Sequence, residues 1–417
     1  MKKLVIHGGV PLTGTICISG AKNSAVALVP ASLLSDEEVV IDHIPDITDI
    51  DALDEILVYL GAKIKREGSR MTIQSEQIEN KEIPEKISKK LRASYYFMGA
   101  LLGKYKKVEM YFPGGCAIGK RPIDQHIKAF EALGAKVEID GNKYRIEADE
   151  LIGTDIYLDF ASVGATINAL LASVKAKGKT TIHNAAKEPE IVNVATLLNN
   201  MGAKIEGAGT SEISIIGVSS LKSAYIEVIP DRIEAGTYVI LGALMGNPLT
   251  IENIIPNHIE PLLAKLKEMG VSYELKENAV TVSRSDHLKP TSIKTAVYPG
   301  FPTDLQQPIT ALLCFTEGIS HMQETIYENR FQNVPYLNQM GAKIQVKGDT
   351  LDIQGIQQLH GTVVEATDLR AGACLFLAGL KADGVTEIKN VEYVLRGYEN
   401  IIEKLTHVGA KIELIEI

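Results

Sequence analysis

The chain of 417 residues has few cysteines and histidines, and none is spaced like a metal ligand or a disulfide partner. Its four cysteines include no Cys-x-x-Cys pair and its nine histidines include no His-x-x-x-His pair. We therefore expect neither a structural metal nor a disulfide framework. The chain also has fewer positive than negative residues, with 43 Lys and Arg against 52 Asp and Glu, for a net charge of −9. That balance disfavours a general nucleic-acid or anionic-membrane binder.

Long hydrophobic runs are lacking as well. No apolar run reaches the length of a membrane-spanning helix, and the opening segment 1–7 is too short for a signal peptide. The sequence therefore predicts a cytoplasmic protein that acts on small molecules and has no membrane or nucleic-acid partner. Its oligomeric state cannot be predicted from these features.

One short motif occurs six times at nearly even spacing. It has the form Leu-Gly-Ala-Lys-Ile, and successive glycines are separated by 73, 68, 68, 71 and 68 residues. A fixed period indicates one folding unit used repeatedly. Each glycine follows a helix-like stretch, at the position where a residue in the left-handed conformation ends the helix. Glycine adopts this conformation without strain because it has no Cβ atom. The six positions are Gly61, Gly134, Gly202, Gly270, Gly341 and Gly409.

Each copy mixes strands and helices. In the third copy, alternating runs at 155–158 and 180–184 predict strands, and helical spacing covers 162–176 and 189–201. Six such subdomains are too many for one core, so we expect an α/β protein with two lobes of three repeats. The N-terminal strands lack a partner in the first copy, and the last copy ends abruptly. This predicts that the N-terminus completes the C-terminal lobe, with lobes at 22–229 and at 1–21 plus 230–417.

Cations stand where the first helices of three repeats begin, at Lys22, Arg92 and Arg232. A cation at a helix N-terminus opposes the helix dipole, so this placement favours an anion beside it. Helix N-termini are themselves anion sites, and Lys or Arg strengthens them. The pattern predicts a basic cleft for small, multiply charged metabolites. For Ser162, at the start of the third of these helices, ordinary N-capping is a sufficient explanation.

Cys116 differs from the other cysteines because it lies in a loop rich in Gly and Pro at 113–122. Lys120 and Arg121 follow it, and neighbouring cations favour a thiolate or an anionic substrate beside the sulfur. A functional Cys116 is therefore expected. The other three lie in apolar runs and are expected to be buried and inert: Cys17, Cys314 and Cys374.

The same loop nearly forms a nucleotide-binding P-loop. Residues 114–120 have the spacing G-x-x-x-x-G-K after a predicted strand, but Arg121 occupies the place of the Ser or Thr that holds Mg²⁺. Arginine cannot coordinate a cation, and the sixfold repeat does not suit the parallel sheet of P-loop enzymes. We reject the nucleoside-triphosphatase interpretation.

Several segments together resemble the UDP-N-acetylglucosamine 1-carboxyvinyltransferase family. They keep their order and spacing from residue 18 to 398, which covers nearly the whole chain. The resemblance implies the enolpyruvyl transferase fold, a two-lobed inside-out α/β barrel with three subdomains per lobe. The segments are Ile-Ser-Gly-Ala-Lys-Asn at 18–23, the cysteine loop at 113–126, Ala-Ser-Val-Gly-Ala-Thr at 161–166, Asn-Ala-Ala-Lys-Glu-Pro-Glu at 184–190, Pro-Asp-Arg-Ile-Glu-Ala-Gly at 230–236, Phe-Pro-Thr-Asp-Leu-Gln at 301–306, Glu-Asn-Arg-Phe at 328–331, Ala-Thr-Asp-Leu-Arg at 366–370 and Arg-Gly-Tyr at 396–398.

The resemblance implies transfer of the enolpyruvyl group of phosphoenolpyruvate to the 3′-hydroxyl of UDP-N-acetylglucosamine, with release of phosphate, as the first committed step of peptidoglycan synthesis. It implies Cys116 as proton donor and target of fosfomycin, and Asp304 as the base, with no cofactor. Phosphoenolpyruvate would be held by Lys22, Asn23, Arg121 and Arg396. The sugar nucleotide would contact Arg92, Arg121, Pro122, Ile123, Asp124, Gln125, Ser162, Val163, Asp304 and Ile326. Arg330, Asp368 and Arg370 would support the same cleft.

Two positions depart from the family pattern. Phe160 stands where some members have Lys, so one charge contact to the diphosphate is in doubt. Ala117 replaces the Thr or Ser that follows the cysteine in others, which puts the local hydrogen bonding of the loop in doubt. Both departures resemble the forms of low-GC Gram-positive bacteria.

Two alternatives stay open at this point. The sister enzyme that acts on shikimate 3-phosphate shares the fold, but it lacks the cysteine loop and the segment 184–190. A non-catalytic sugar-nucleotide sensor could use the same scaffold, but it would not need a proton donor such as Cys116 together with a base such as Asp304.

Overall fold

The computed structural model of the chain describes residues 2–112 and 123–416. The chain divides into two compact units, which for the described residues are 20–112 with 123–229, and 2–19 with 230–416. Both units mix helices and strands, as the fold class predicted from the sequence requires. No helix in the described ranges is long and apolar enough to cross a membrane.

The strands are short and most have one buried and one exposed face. In chain order they are β1 (Lys2–His7), β2 (Leu12–Cys17), β3 (Val39–Asp42), β4 (Lys63–Glu67), β5 (Arg70–Gln74), β6 (Lys107–Tyr111), β7 (Lys136–Asp140), β8 (Lys143–Glu147), β9 (Asp155–Tyr157), β10 (Lys179–His183), β11 (Lys204–Glu206), β12 (Glu212–Ile216), β13 (Ala224–Glu227), β14 (Gly246–Glu252), β15 (Tyr273–Leu275), β16 (Ala279–Val282), β17 (Ser292–Lys294), β18 (Ile319–Gln323), β19 (Lys343–Lys347), β20 (Thr350–Gln354), β21 (Val363–Glu365), β22 (Val385–Lys389) and β23 (Lys411–Glu416).

The α-helices are α1 (Lys22–Ser32), α2 (Thr48–Leu60), α3 (Glu85–Ser88), α4 (Tyr96–Tyr105), α5 (Asp124–Ala132), α6 (Val163–Ser173), α7 (Pro189–Asn200), α8 (Arg232–Met245), α9 (Glu260–Glu268), α10 (Gln306–Leu313), α11 (Val334–Gln339), α12 (Leu369–Lys381), α13 (Glu392–Leu395) and α14 (Ile401–His407). Short 3₁₀ turns cover Arg92–Tyr95, Pro256–His258 and Thr303–Leu305.

The unit of residues 20–229 contains three of the sheets. Their strand orders are β13-β3-β5-β4, β6-β8-β7 and β11-β12-β10-β9. The helices α1, α4 and α6 are almost wholly buried, and α4 packs on both of the others. Their small and apolar residues allow this close approach, so the core of the unit is made of helices with the sheets around it.

The other unit repeats this plan with the sheets β15-β16-β14-β2, β17-β18-β20-β19 and β21-β22-β1-β23. Its buried helices are α8, α10 and α12, which contact one another. Strand β1 pairs antiparallel with both β22 and β23, and β2 pairs parallel with β14. The strands at the N-terminus thus belong to the sheets formed by the fourth and sixth repeats.

The six repeat glycines all adopt the left-handed conformation, with φ between +85° and +103°. The prediction that each of these glycines ends a helix in the left-handed conformation is therefore confirmed. At these positions any side chain would be strained, which explains why the same residue ends the helix in every copy.

The sequence-based expectation for Cys17 is wrong. The residue is exposed, whereas Cys314 and Cys374 are buried as expected. The error has a simple cause: Ile16 and Ile18 are buried, and alternate side chains along β2 point to opposite faces. Because its neighbours in the sequence are apolar, Cys17 was expected on the buried face of the strand, whereas its side chain lies on the exposed face.

Candidate active site

In the unit of residues 20–229, Lys22 is the first residue of α1, and the residue at the N-cap is Ala21, whose methyl side chain cannot cap the helix. Its Nζ lies 2.8 Å from Oδ2 of Asp49, whose side chain is only 3% exposed. Asp49 belongs to the first turn of α2. The anion that the sequence led us to expect beside Lys22 is thus supplied, at least in part, by the protein itself. Asn23 follows Lys22 and is half-buried.

Arg92 opens a 3₁₀ turn, and its guanidinium lies 5.8 Å from the centre of the Phe112 ring. This distance is within the range of a cation–π contact. Arg232, the third cation of the pattern, belongs to the other unit and lies 5.6 Å from the Tyr298 ring.

In the same unit as Arg92, His126 is buried and is held in one protonation state by Asn168. The Asn168 Oδ1 accepts the backbone N–H of Gly99 at 2.9 Å, which fixes the orientation of the amide. Its Nδ2 donates to the Tyr95 carbonyl at 3.2 Å and lies 2.7 Å from Nδ1 of His126. The ring nitrogen must accept this bond, so the imidazole is neutral. Burial, and then the charge of Arg92, lower the pKa of His126 to about 3.

Gln125 is buried, and its amide forms a two-way pair with Asp159. Its Nε2 donates to Oδ2 of Asp159 at 2.9 Å, and its Oε1 accepts the Asp159 backbone N–H at 2.8 Å. Lys128 contacts the same carboxylate at 2.6 Å. The pair ties the start of α5 to the segment that precedes α6.

The segment before α6 contains two further positions singled out in the sequence. Phe160 is 52% exposed, and Ser162 caps α6 by accepting the N–H of Ala165 at 3.3 Å.

In the unit of residues 2–19 and 230–416, Asp304 is held by two guanidinium groups. Nη2 of Arg330 donates to Oδ1 at 2.6 Å, and Nη2 of Arg370 donates to Oδ2 at 3.0 Å. Both arginine side chains are almost fully buried, while that of Asp304 is 25% exposed. Charge-assisted hydrogen bonds of this kind are among the strongest in proteins and stabilise the negative carboxylate. The two guanidinium groups thus fix the orientation of the carboxylate and leave it partly exposed.

Arg370 is fixed by its own surroundings. Asp368 caps α12 by accepting the backbone N–H groups of Arg370 and Ala371 at 2.8 and 3.0 Å. Nη1 of Arg370 donates to the hydroxyl of Tyr398 at 3.4 Å. Burial opposes the charge, but Asp304, Tyr398 and Asp231 outweigh it and raise the pKa of Arg370.

Arg330 is held from several directions. Its Nη1 donates to Oγ1 of Thr303 at 2.8 Å, and its guanidinium lies 5.0 Å from the centre of the Tyr327 ring. Its backbone carbonyl accepts Nε2 of Gln307 at 3.0 Å. Asp304, Arg330, Asp368 and Arg370, which the sequence suggested would act together, are therefore brought into one network.

The other residues suggested by the sequence differ in their exposure. Ile326 is 36% exposed, and its N–H donates to Glu324 at 2.8 Å. Arg396 is half-buried just after α13, Asp124 is exposed, and Val163 is half-buried at the start of α6. Ile123 is buried. Cys116, Arg121 and Pro122 lie outside the described residues, so their roles stay predictions.

Sequence reasoning missed several residues that hold the candidate groups: Asp49, His126, Asn168, Thr303 and Glu324. Thr303 and His126 had a usable signal, because they lie in the segments 301–306 and 113–126 that carry the resemblance. The remaining contacts join distant parts of the chain and left no local pattern. Within residues 2–112 and 123–416, no group of three or more His, Cys, Asp or Glu side chains is arranged to hold a metal ion.

The family that the chain matches is one of carboxyvinyltransferases. The family profile described as EPSP synthase (3-phosphoshikimate 1-carboxyvinyltransferase) matches residues 6–405. The chain is also similar to the crystal structure of the enolpyruvyl transferase NikO from Streptomyces tendae, with a TM-score of 0.91, 28% identity and coverage of 99% of this chain and 98% of that one.

Relatives with higher sequence identity indicate which family of enolpyruvyl transferases the chain belongs to. The chain is 52% identical to UDP-N-acetylglucosamine 1-carboxyvinyltransferase 1 of Streptococcus agalactiae serotype Ia over 418 residues, covering 100% of each. It is 53% identical to UDP-N-acetylglucosamine 1-carboxyvinyltransferase 2 of Listeria monocytogenes serotype 4b over 410 residues, 98% of this chain and 97% of that one. Within the enolpyruvyl transferases, the chain belongs to the UDP-N-acetylglucosamine 1-carboxyvinyltransferase family.

Proposed function

We propose that the protein transfers the enolpyruvyl group of phosphoenolpyruvate to the 3′-hydroxyl of UDP-N-acetylglucosamine and releases phosphate. The observation that carries this proposal is the Asp304 carboxylate, partly exposed and fixed between Arg330 and Arg370. It supplies an oriented base, which a transfer to a hydroxyl group needs. Relatives that share about half of the residues over the full length carry this activity in their names.

The reaction would proceed by addition and then elimination. Asp304 accepts the proton of the 3′-hydroxyl of the sugar. At the same time, the oxygen of that hydroxyl forms a bond to the central carbon of phosphoenolpyruvate. The Cys116 thiol gives its proton to the terminal methylene, which becomes a methyl group. The Cys116 thiolate then takes a proton from this methyl group, the carbon–carbon double bond re-forms, and the bond to the phosphate oxygen breaks, with the departing phosphate taking up the proton held by Asp304. General acid and base groups placed in this way each contribute about 10²- to 10⁴-fold to the rate.

The negative charge of phosphoenolpyruvate would be met by Lys22, Arg121 and Arg396, with Asn23 as a neutral donor. Arg92 and the segment 121–125 would contact the sugar nucleotide together with Ser162, Val163 and Ile326. Cations near Cys116 favour its thiolate, whereas a proton donor must be a thiol. The charge of the bound phosphate can resolve this conflict, because a neighbouring anion favours the protonated form.

The neutral state of His126 keeps the charge constant around two of the proposed sugar-nucleotide contacts. A protonated imidazole would add a charge beside Arg92 in a buried position, but Asn168 requires a lone pair on Nδ1. The neighbouring Gln125 and Arg92 are thus set in an environment with a constant charge over the physiological pH range. Both proposed substrates are charged metabolites that do not cross membranes unaided, so we also propose a cytoplasmic location.

The alternative acceptor is shikimate 3-phosphate, which the matching family description names. Two solved structures of EPSP synthase from Acinetobacter baumannii share 19% identity with the chain, so they support the fold alone. Phosphate release should be measured with phosphoenolpyruvate and each acceptor in turn. Release that depends on UDP-N-acetylglucosamine is expected; release only with shikimate 3-phosphate would establish the alternative, and release with neither would support a binding role without catalysis.

A further inference from the structure

Glu324 is a buried carboxylate, 3% exposed, that follows β18. Every described hydrogen bond of this carboxylate is one that it accepts. Oε1 accepts from Oγ1 of Thr295 at 2.9 Å, from the N–H of Ile326 at 2.8 Å and from the N–H of Tyr327 at 3.2 Å. Oε2 accepts from Oγ1 of Thr303 at 2.8 Å. Burying a carboxylate is costly unless several hydrogen bonds compensate, and here four do.

These bonds lead directly to Asp304. The Thr303 hydroxyl donates its single hydrogen to Glu324, so its oxygen presents a lone pair to Nη1 of Arg330, 2.8 Å away. Arg330 in turn donates to Asp304. Because an ionised carboxylate can only accept, Glu324 determines the direction of the whole chain of hydrogen bonds.

Glu324 also acts on Arg330 from a second side. It holds the backbone N–H of Tyr327, whose ring lies 5.0 Å from the Arg330 guanidinium. The same oxygen holds the N–H of Ile326, a candidate contact of the sugar nucleotide. One buried side chain therefore fixes the hydrogen-bond acceptor of Arg330, the ring beside it and a segment expected to touch the substrate.

We propose that Glu324 is a positioning residue that orients Arg330 through Thr303 and thereby sets the geometry of Asp304 and of the Ile326 segment. The role rests on the proposed function, since Asp304 acts as a base only in that reaction. A glutamine at this position would have the same shape, but its N–H₂ group would face donors. It could not accept the Thr303 hydrogen and the three other bonds at once.

The test compares Glu324→Gln and Thr303→Val with the conservative variant Thr303→Ser and with Glu274→Gln, an exposed control in the same unit. The first two are expected to lower kcat by about 10- to 100-fold, since small misplacement of a catalytic group has effects of this size. They should also move the acid limb of the kcat–pH profile to higher pH, because Asp304 loses a well-placed cation. Thr303→Ser keeps the hydroxyl and should retain both the rate and the profile, as should the control.

A double-mutant cycle gives a readout that does not need substrate. The effects of Glu324→Gln and Thr303→Val on the free energy of unfolding should be non-additive, since the two residues share one chain of hydrogen bonds. Additive effects, or a Glu324→Gln enzyme with the rate and acid limb of the wild type, would overturn the proposal. Failure of the proposed function would appear separately, as a wild-type protein that releases no phosphate with UDP-N-acetylglucosamine.

Discussion

Arg330 donates a hydrogen bond of 2.6 Å to Oδ1 of Asp304, and its side chain is only 2% exposed. A buried guanidinium so close to a partly exposed carboxylate holds the carboxylate in one orientation and stabilises its charge. This relationship fixes the direction from which a substrate hydroxyl group could meet Asp304, the residue that we propose as its base.

Asp304→Asn should therefore lower kcat by about 10²- to 10⁴-fold, the usual contribution of a general base. The amide cannot take up the proton, and its N–H₂ group would face one of the two arginines. Phosphate release under saturating substrate measures the effect. Asp383→Asn, an exposed change in the same unit, is the matched control and should leave the rate unchanged. A nearly wild-type kcat for Asp304→Asn would remove Asp304 from the mechanism.

Cys116→Ser should lose nearly all turnover, with a fall in kcat of at least about 100-fold, because a hydroxyl is a much weaker acid than a thiol. Cys116→Asp should retain part of the rate, since a carboxylic acid can also deliver a proton. The measurement is again phosphate release. Full activity of the serine variant would contradict the role of Cys116 as proton donor.

Alkylation by the epoxide phosphonate fosfomycin should occur at Cys116. Cys17 is exposed, but partial burial of its thiol raises its pKa and disfavours the reactive thiolate. Cys314 and Cys374 are buried, and burial raises the pKa of Cys374 to about 12. Peptide mass mapping should find the label on Cys116 in the wild type and equally in a Cys17→Ser control. A label that moves with Cys17 would show that exposure, rather than the cation-rich loop, determines reactivity.

The buried neutral His126 should make the protein sensitive to acid. Its pKa is about 3 in the folded state, against an ordinary value of 6.5. Below pH 6.5 the unfolded chain binds a proton that the folded protein does not, so stability falls as the pH drops towards 3. Between pH 7 and pH 4 the wild type should lose about 3 kcal/mol more unfolding free energy than His126→Gln. Denaturant unfolding at both pH values measures this difference, and His7→Gln, in the exposed part of β1, should behave like the wild type. Equal losses in wild type and His126→Gln would mean that His126 is protonated in the folded protein.

Much of the fold could be predicted from the sequence because its main signals are local. The repeat glycines mark left-handed helix ends, and each is recognisable from a few neighbouring residues. The strands of the third repeat likewise lie within a few residues of the predicted ranges. Cys17 shows the limit of the method, because the composition of a run does not reveal which face of a strand is buried.

The candidate site was predictable where resemblance named a residue and unpredictable where a contact joins distant segments. Asp304 and Arg330 were both identified, but the Thr303 and Glu324 side chains that connect them to the Ile326 segment were not. The pairing of Asn168 with His126 spans 42 residues, and that of Asp49 with Lys22 joins the starts of two helices. Such contacts depend on tertiary packing, which leaves no periodic pattern in the chain.

The most direct test of the central claim is an NMR spectrum of the product formed in D₂O from phosphoenolpyruvate and UDP-N-acetylglucosamine. Addition followed by elimination passes through a methyl group, so the account predicts an enolpyruvyl ether at the 3′-oxygen of the sugar with solvent deuterium in its vinyl group. Unmodified sugar nucleotide at the end of the incubation, or an ether whose vinyl group contains no deuterium, would contradict it.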